Sequence, residues 1–305
     1  MTDQVPPVGL AELAEGVHAY IQLPGGWCMS NAGVITGGDG ALVVDTLATE
    51  SRARRLRAAV DAVAPGKLRT IVNTHHHGDH IFGNHVFGPT ATIIAHENAL
   101  REITKTGLAL TGMWPDVDWG DVRITPPSLT FTDRLTVRLG RRTAELIHLG
   151  PAHTTNDVVV WLAEERIMFA GDLVMSGATP FMLMGSVAGS LTALGRLREF
   201  GARQLVCGHG PVTGPEVIDE TVEYLEWIQG LAANGVRRGL TPLELAHEAG
   251  DGGFGHLIDG ERIVGNLHRA YAELESGPLG RSLDVVGIFT EMVEYNDGRL
   301  PTCLA

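Results

Sequence analysis

Three observations predict an α+β fold for this chain of 305 residues. Up to about residue 210, short apolar runs alternate with amphipathic ones, the mixture expected of sheets covered by helices. From residue 213 onward the apolar spacing turns helical. Apolar residues make up 44% and charged residues 19% of the chain, which excludes a disordered chain and provides for a sizeable core.

The elements follow in order. Residues 17–23, 31–36 and 41–45 read as strands separated by Gly-containing turns, with Gly38-Asp39-Gly40 as a hairpin-type turn. Residues 51–63 place Leu56, Val60 and Val63 on one stripe, so they read as a surface helix. A strand over 68–73 ends in a His-rich loop, and a strand over 91–95 precedes a helix over 97–105. Residues 106–130, with Trp114, Pro115, Trp119, Pro126 and Pro127, form a long irregular insertion whose tryptophans read as loop anchors. Strands are expected over 144–149, 158–162, 167–170 and 204–207, and a helix over 190–200. Further helices are expected over 216–233 and 263–274, and Thr241-Pro242-Leu243-Glu244 is a capping box that starts another. The expected division is a catalytic domain over 1–212 and a helical extension over 213–305 packing on it.

Composition narrows the function classes. Lys and Arg number 23 and Asp and Glu 36, a net charge of −13, which argues against a nucleic-acid partner held by phosphate contacts. No apolar run reaches 18 residues without a charge, so no membrane-spanning helix is expected. Residues 1–19 carry Asp3, Glu12 and Glu15 and no basic n-region, so they do not read as a signal peptide, and a cytoplasmic location is expected. Cys28, Cys207 and Cys303 are too widely spaced for a disulfide framework or a Cys-based zinc site. Cys207 reads as structural.

Chemistry concentrates in histidine. Of thirteen His, five fall within eleven residues: His75, His76, His77, His80 and His85. The pattern His75-x-His77-x-Asp79-His80 leaves a strand at once, and alternate side chains there can point one way. His75 and His77 could bind one ion while Asp79 and His80 face a neighbouring position. Imidazole and carboxylate at this density suit Zn²⁺, and also Fe or Mn. Three later sites sit at strand ends in Gly-containing loops: Gly150-Pro-Ala-His153, Gly171-Asp172 and Gly208-His209. Singly, Asp172 could be a turn or cap residue and His209 a surface-loop histidine. Four strand-end sites of metal-ligand type point instead to one rim of a sheet.

With these motifs the chain resembles the metallo-β-lactamase-fold superfamily of metallohydrolases over roughly residues 16–212. Asp45 in Leu-Val-Val-Asp-Thr matches the first of five motifs; His75, His77, Asp79 and His80 match the second; His153, Asp172 and His209 match the rest. The resemblance implies a four-layer αββα sandwich with two metal ions at one edge. It implies that His75, His77 and His153 hold the first ion, that Asp79, His80 and His209 hold the second, and that Asp172 bridges them. Asp45 is implied as support behind a ligand histidine. The stretch from His153 through Trp161 to Gly171 is similar to the class B β-lactamases. Those enzymes typically carry Cys where this chain has Asp172 and a non-His residue where it has His80. Asp172 with His80 is the glyoxalase II and lactonase pattern.

Two such ions, zinc by expectation, would activate a bridging hydroxide, with Asp79 orienting it and moving its proton. The expected reaction is hydrolysis of an ester-like acyl bond in a small molecule: thioester, lactone or ester. An iron dioxygenase of the persulfide dioxygenase type and a β-lactamase-like amide hydrolase are the alternatives. Substrate selection is expected from Trp27 in an early loop and from Phe181 and Met182 in the Met-rich stretch 175–186. The extension could serve as a lid, a homodimer surface or both. Its Arg237, Arg238, Arg262 and Arg269 show no basic motif matching the glutathione-holding helices of glyoxalase II.

Overall fold

The computed structural model describes residues 9–38, 40–88, 91–275 and 277–305. The turn expected at Asp39, and Asp3 in the N-terminal stretch, lie outside the described residues.

Two mixed sheets stack face to face. The first has seven strands in chain order, β1 (Gly9–Ala14), β2 (Val17–Ile21), β3 (Ala32–Thr36), β4 (Ala41–Val44), β5 (Leu68–Val72), β6 (Thr92–His96) and β7 (Leu129–Phe131). Its first four strands pair antiparallel; from β4 to β7 the pairing is parallel. The second has five, in the order β12 (Gln204–His209), β11 (Ile167–Met175), β10 (Val158–Leu162), β9 (Arg142–His148) and β8 (Arg134–Leu139). Alternation along the strands decides what lies between the sheets. Val17, Ile35, Leu42, Val44 and Val72 from the first meet Leu146, Val158, Val160, Phe169 and Val206 from the second in one buried cluster.

Helices close the sandwich on both sides. On the first sheet, α1 (Glu50–Val63) buries Leu56 and Val60 against Val34, Val43 and Ile71. Thr49 caps it by accepting from the Arg52 amide. The His-rich loop continues into a short helix, α2 (Gly78–Ile81), and a 3₁₀ turn over Phe82–Phe87; α3 (Glu97–Thr106) follows β6. On the second sheet lie α4 (Val187–Phe200), α5 (Glu216–Arg238), α6 (Pro242–Ala249), α7 (Arg262–Leu274) and α8 (Val285–Tyr295). Their apolar faces share a buried cluster with Ile147, Val159, Met168 and Cys207 from the sheet's outer face. The expected capping box is present in both directions at Thr241 and Glu244.

The order α, β, β, α is the expected sandwich, with differences of detail. The strand expected over 167–170 runs on to Met175, because Gly171 makes a bulge rather than an end: its φ is +53°, and the register with β12 slips on both sides of it. Among the described strands and α-helices, five escape the sequence reading: β1, α2, β7, β8 and α8. No helix among the described residues is long and apolar enough to cross a membrane.

Leu146 is fully buried between the sheets. Leu146→Ala is expected to lower unfolding stability by about 2–5 kcal/mol, the range for emptying a leucine-sized core position. Urea denaturation of the two proteins measures it.

Candidate metal centre

Strand direction gathers the site. The chains β4 and β5 run parallel, so Asp45 and the segment after Val72 emerge at the same edge of the first sheet. Within the second sheet β9 and β11 each pair antiparallel with β10, and β12 is parallel to β11. The ends of β9 and β12 and the bulge of β11 therefore lie at one edge, carrying His153, His209 and Asp172. Cross-links seat the two edges together. The Val158 amide donates to the Thr74 carbonyl at 2.8 Å, and Asn31 Nδ2 donates to the carbonyls of Cys207 and Gly210 at 2.9 and 2.7 Å.

All seven predicted side chains converge. One group is His75, His77, His153 and Asp172, and the other is Asp79, His80 and His209; within each group the donor atoms lie within 4.8 Å of one another. Asp172 touches both groups. Its Oδ2 is 3.3 Å from His153 Nε2, 3.4 Å from His209 Nε2 and 3.8 Å from His75 Nε2, and its Oδ1 is 3.2 Å from His80 Nε2. Asp79 Oδ2 lies 3.3 Å from His209 Nε2 and 3.7 Å from His80 Nε2. Gly208 is required beside this carboxylate, because a Cβ there would stand 1.8 Å from Asp172 Oδ1.

Behind the ring, four of the five imidazoles are oriented by a hydrogen bond. His80 Nδ1 donates to Asp45 Oδ2 at 2.7 Å, His209 Nδ1 to the Gly26 carbonyl at 3.1 Å, and His153 Nδ1 to the Phe181 carbonyl. Thr74 donates its hydroxyl to Asp45 Oδ2 at 2.7 Å and so accepts from His75 Nδ1 at 3.1 Å. Each of these four rings therefore turns its Nε2 inward. His77 faces the other way round, with Nδ1 2.9 Å from His153 Nε2. Thr74 also gives its amide to Asp45 Oδ1 at 2.8 Å. Those bonds outweigh the left-handed backbone of Asp45, whose φ of +60° costs about 1–2 kcal/mol against about 1.5–3 kcal/mol for each bond to its charge.

The donor set fits metal ions. His75 Nε2, His80 Nε2 and Asp172 Oδ1 are buried and have no hydrogen-bond partner, although His80 and Asp172 sit 3.2 Å apart. Orphaned polar atoms of this kind are expensive unless a cation answers them. The electrostatics agree. Burial, then the neighbouring imidazoles, holds His75 and His77 well below the ordinary histidine range. Burial works against a charged His209, but the Asp172 and Asp79 carboxylates outweigh it and push its pKa up to about 9. Asp172 is held well below the carboxylate range: burial opposes this, and His209, His80 and His153 overcome it.

A cavity of about 250 Å³ opens over the ring, with His77, Asp79, His153, Asp172 and His209 in its floor. Trp27 and Phe181 line it, as expected. Trp27 is firmly held: Nε1 donates to Glu261 Oε1 at 2.6 Å, and the Arg262 guanidinium lies 4.3 Å from its ring. Met182 is a correction. It is fully buried away from the cavity, with the Ser190 hydroxyl on its sulfur, and its neighbours Leu183 and Met184 line the wall instead. The segment does not alternate as a strand would there, because α7 grips its backbone. Asn266 receives the Met182 amide at 2.7 Å and donates to Pro180, while Arg262 and Arg269 donate to the carbonyls of Thr179 and Leu183. Trp114 anchors its loop through Nε1 to the Pro301 carbonyl and also lines the cavity. The sequence reading missed Thr74, although it directly precedes His75. It also missed Val285, Val286 and Phe289 on α8, which contribute to the wall. Cys207 is buried in β12, and burial raises its thiol pKa.

Two groups of His and Asp donors meeting between paired sheets, under outer helices, define a metal-binding αββα protein. The chain belongs to the metallo-beta-lactamase superfamily, whose family model matches residues 25–209. A metallo-beta-lactamase type 2 of Bacteroides fragilis is 26% identical over 230 residues, 72% of this chain and 85% of that protein. A linear primary-alkylsulfatase of a Pseudomonas strain is 24% identical over 253 residues, 69% of this chain. A hydroxyacylglutathione hydrolase of Methylococcus capsulatus is 28% identical over 144 residues, 47% of this chain. The match spans 48% of each of these last two proteins, about half their length. Among solved structures, a metallo-beta-lactamase from Pontibacter korlensis superposes with a TM-score of 0.62 over 72% of this chain and 99% of its own. Its identity is 19%, a likeness of fold.

Two outcomes are expected. Asp45→Asn removes the anchor of His80 Nδ1 and should weaken metal affinity about 10–100-fold, read by competition with a chromophoric chelator. Metal uptake must also displace the proton that His209, with its pKa of about 9, carries at neutral pH. Affinity should therefore rise from pH 6 to pH 8, and calorimetry in buffers of different ionisation enthalpy should register proton release.

Proposed function

We propose that this chain is a two-metal hydrolase, zinc being its resident metal, that cleaves an ester-like acyl bond in a small molecule. The observation that carries the reading is Asp172, whose two carboxylate oxygens lie 3.2–3.4 Å from histidine nitrogens of both donor groups. Two dications held there would lower the pKa of a shared water towards 7 and polarise the carbonyl under attack. The donor set of imidazole and carboxylate suits zinc.

The protein's own groups do the rest. Asp79 lies in the cavity floor and can accept the proton of the attacking water. As the acyl bond breaks, Asp79 returns that proton to the departing alkoxide or thiolate, so the products are an alcohol or thiol and a carboxylic acid, which gives up its proton to solvent at neutral pH. The Nδ1 anchors of His75, His80, His153 and His209 keep those four rings from turning during this cycle. The apolar wall formed by Trp27, Phe181, Leu183 and Phe289 excludes bulk water and holds the acyl group.

The pairing of Asp172 with His80, similar to the glyoxalase II and lactonase pattern, supports an oxygen or sulfur leaving group over an amide. So does the likeness to proteins named as hydroxyacylglutathione hydrolases. The complete second donor group, Asp79, His80 and His209, supports two ions over a mononuclear iron dioxygenase.

Elemental analysis of the purified protein, with an ester, lactone and thioester panel, tests this reading. Near-stoichiometric metal without turnover of any acyl substrate would sink it. Chelation should abolish turnover and added zinc restore it. Asp79→Asn should lower kcat about 10²–10⁴-fold, the usual contribution of a positioned proton carrier. Asp172→Ala should bind less metal and lose turnover; full activity in that variant would exclude a bridged pair.

A further inference from the structure

The cavity wall says what kind of molecule reaches the metal centre. Above the floor it is built from Trp27, Phe82, Trp114, Phe181 and Phe289, with aliphatic and Met side chains between them. Four of these aromatics form one block: Trp27 lies 5.0 Å from Phe181 edge-on, and Trp114 lies 5.4 Å from both Trp27 and Phe289. Such a wall rewards an apolar or aromatic group and offers nothing to a charged one.

Among the described residues Arg262 is the one Arg or Lys that lines the cavity. Its charge is already matched. Nη2 pairs with Asp259 Oδ2 at 2.8 Å, Nη1 donates to the Thr179 carbonyl at 2.8 Å, and the plane lies over Trp27. Its Nε–H has no acceptor, which leaves it able to take a neutral oxygen rather than balance a carboxylate. A substrate with a carboxylate remote from the scissile bond would bury that charge against aromatic rings without compensation. The net charge of −13 disfavours the approach of anions as well.

From this we infer that the site takes an uncharged substrate whose acyl portion is aromatic or otherwise apolar, roughly the size of two fused rings. Acyl compounds bearing remote carboxylates, glutathione thioesters and β-lactam acids among them, are poor substrates. The inference rests on the proposed acyl hydrolysis, but its ligand half can be tested without turnover.

Two measurements on the zinc-loaded protein separate the possibilities. In the first, 2-acetylnaphthalene, a neutral ketone that cannot be hydrolysed, is titrated while tryptophan emission is followed. Saturable quenching through Trp27 and Trp114 is expected; its absence overturns the inference. In the second, kcat/KM is compared for the 2-naphthoyl and succinyl thioesters of N-acetylcysteamine, which share one neutral leaving thiol. The naphthoyl compound should be favoured at least tenfold. Equal rates or a preference for the succinyl compound overturn the inference while leaving acyl hydrolysis standing. Saturable ketone binding with neither thioester cleaved supports the ligand class and overturns the hydrolase reading instead. Val286, at the exposed edge of the lining, provides a reversal that does not disturb the core. Val286→Lys should shift the ratio at least threefold towards the succinyl thioester, and an unchanged ratio counts against the wall as the selecting element.

Discussion

The structure depends on a buried carboxylate that no proton and no single side chain neutralises. Asp172 is 3% exposed and lies within 3.8 Å of four imidazole nitrogens. A charge so placed is tolerable only where its surroundings are fixed and complementary. The protein meets that condition from outside the ring. Thr74, Asp45 and two backbone carbonyls hold the Nδ1 side of the four histidines, so each Nε2 is left facing the carboxylate. A positive charge must lie among these groups, the proton on His209 in the metal-free ring or a cation in its place. The same bonds thus aim the ring at a cation.

Strand polarity explains why such a ring arises on this scaffold. A parallel neighbour ends at the same edge as its partner, whereas an antiparallel one ends opposite. The first sheet becomes parallel at β4–β5 and the second at β11–β12, and those two pairs carry Asp45, the His-rich loop, Asp172 and His209. His153 joins them because β9 and β11 share a direction through β10. The antiparallel remainder supplies width to the inter-sheet core. Backbone bonds between the two edges then fix the distance that the ligands must bridge.

How much of this was legible in the sequence follows from the range of each signal. His75, His77, Asp79 and His80 lie within six positions after an apolar run, so a local pattern sufficed. His153, Asp172 and His209 were readable because each sits beside glycine at the end of an apolar run. Gly171, however, looks the same in sequence whether it ends a strand or bulges one, and the continuation of β11 to Met175 was lost there. The strands β1 and β7 escaped because their exposed or half-exposed residues give little alternation, whereas β8 does alternate, with Leu135, Val137 and Leu139 on its more buried face, and was legible. Met182 could not be told from Met184, since a loop clamped by another helix has no period. Phe289 had no signal at all, because α8 was not recognised as an element.

The clamp on that loop ties selection to chemistry. Residues 179–183 have almost every turn of backbone held by α7: Arg262 on Thr179, Asn266 on Pro180 and Met182, and Arg269 on Leu183. Between these fixed points lies Phe181, whose ring faces the cavity and whose carbonyl orients His153. One residue therefore sits in the cavity wall and behind a ring of the donor cluster at once. A buried Arg or Asn bonded to carbonyls is worth little over apolar packing as stabilisation alone. Its value here lies in position. With α7 seated, the wall and the His153 ring move together or not at all, so a helix outside the sandwich governs both the shape of the cavity and the aim of the donor beneath it.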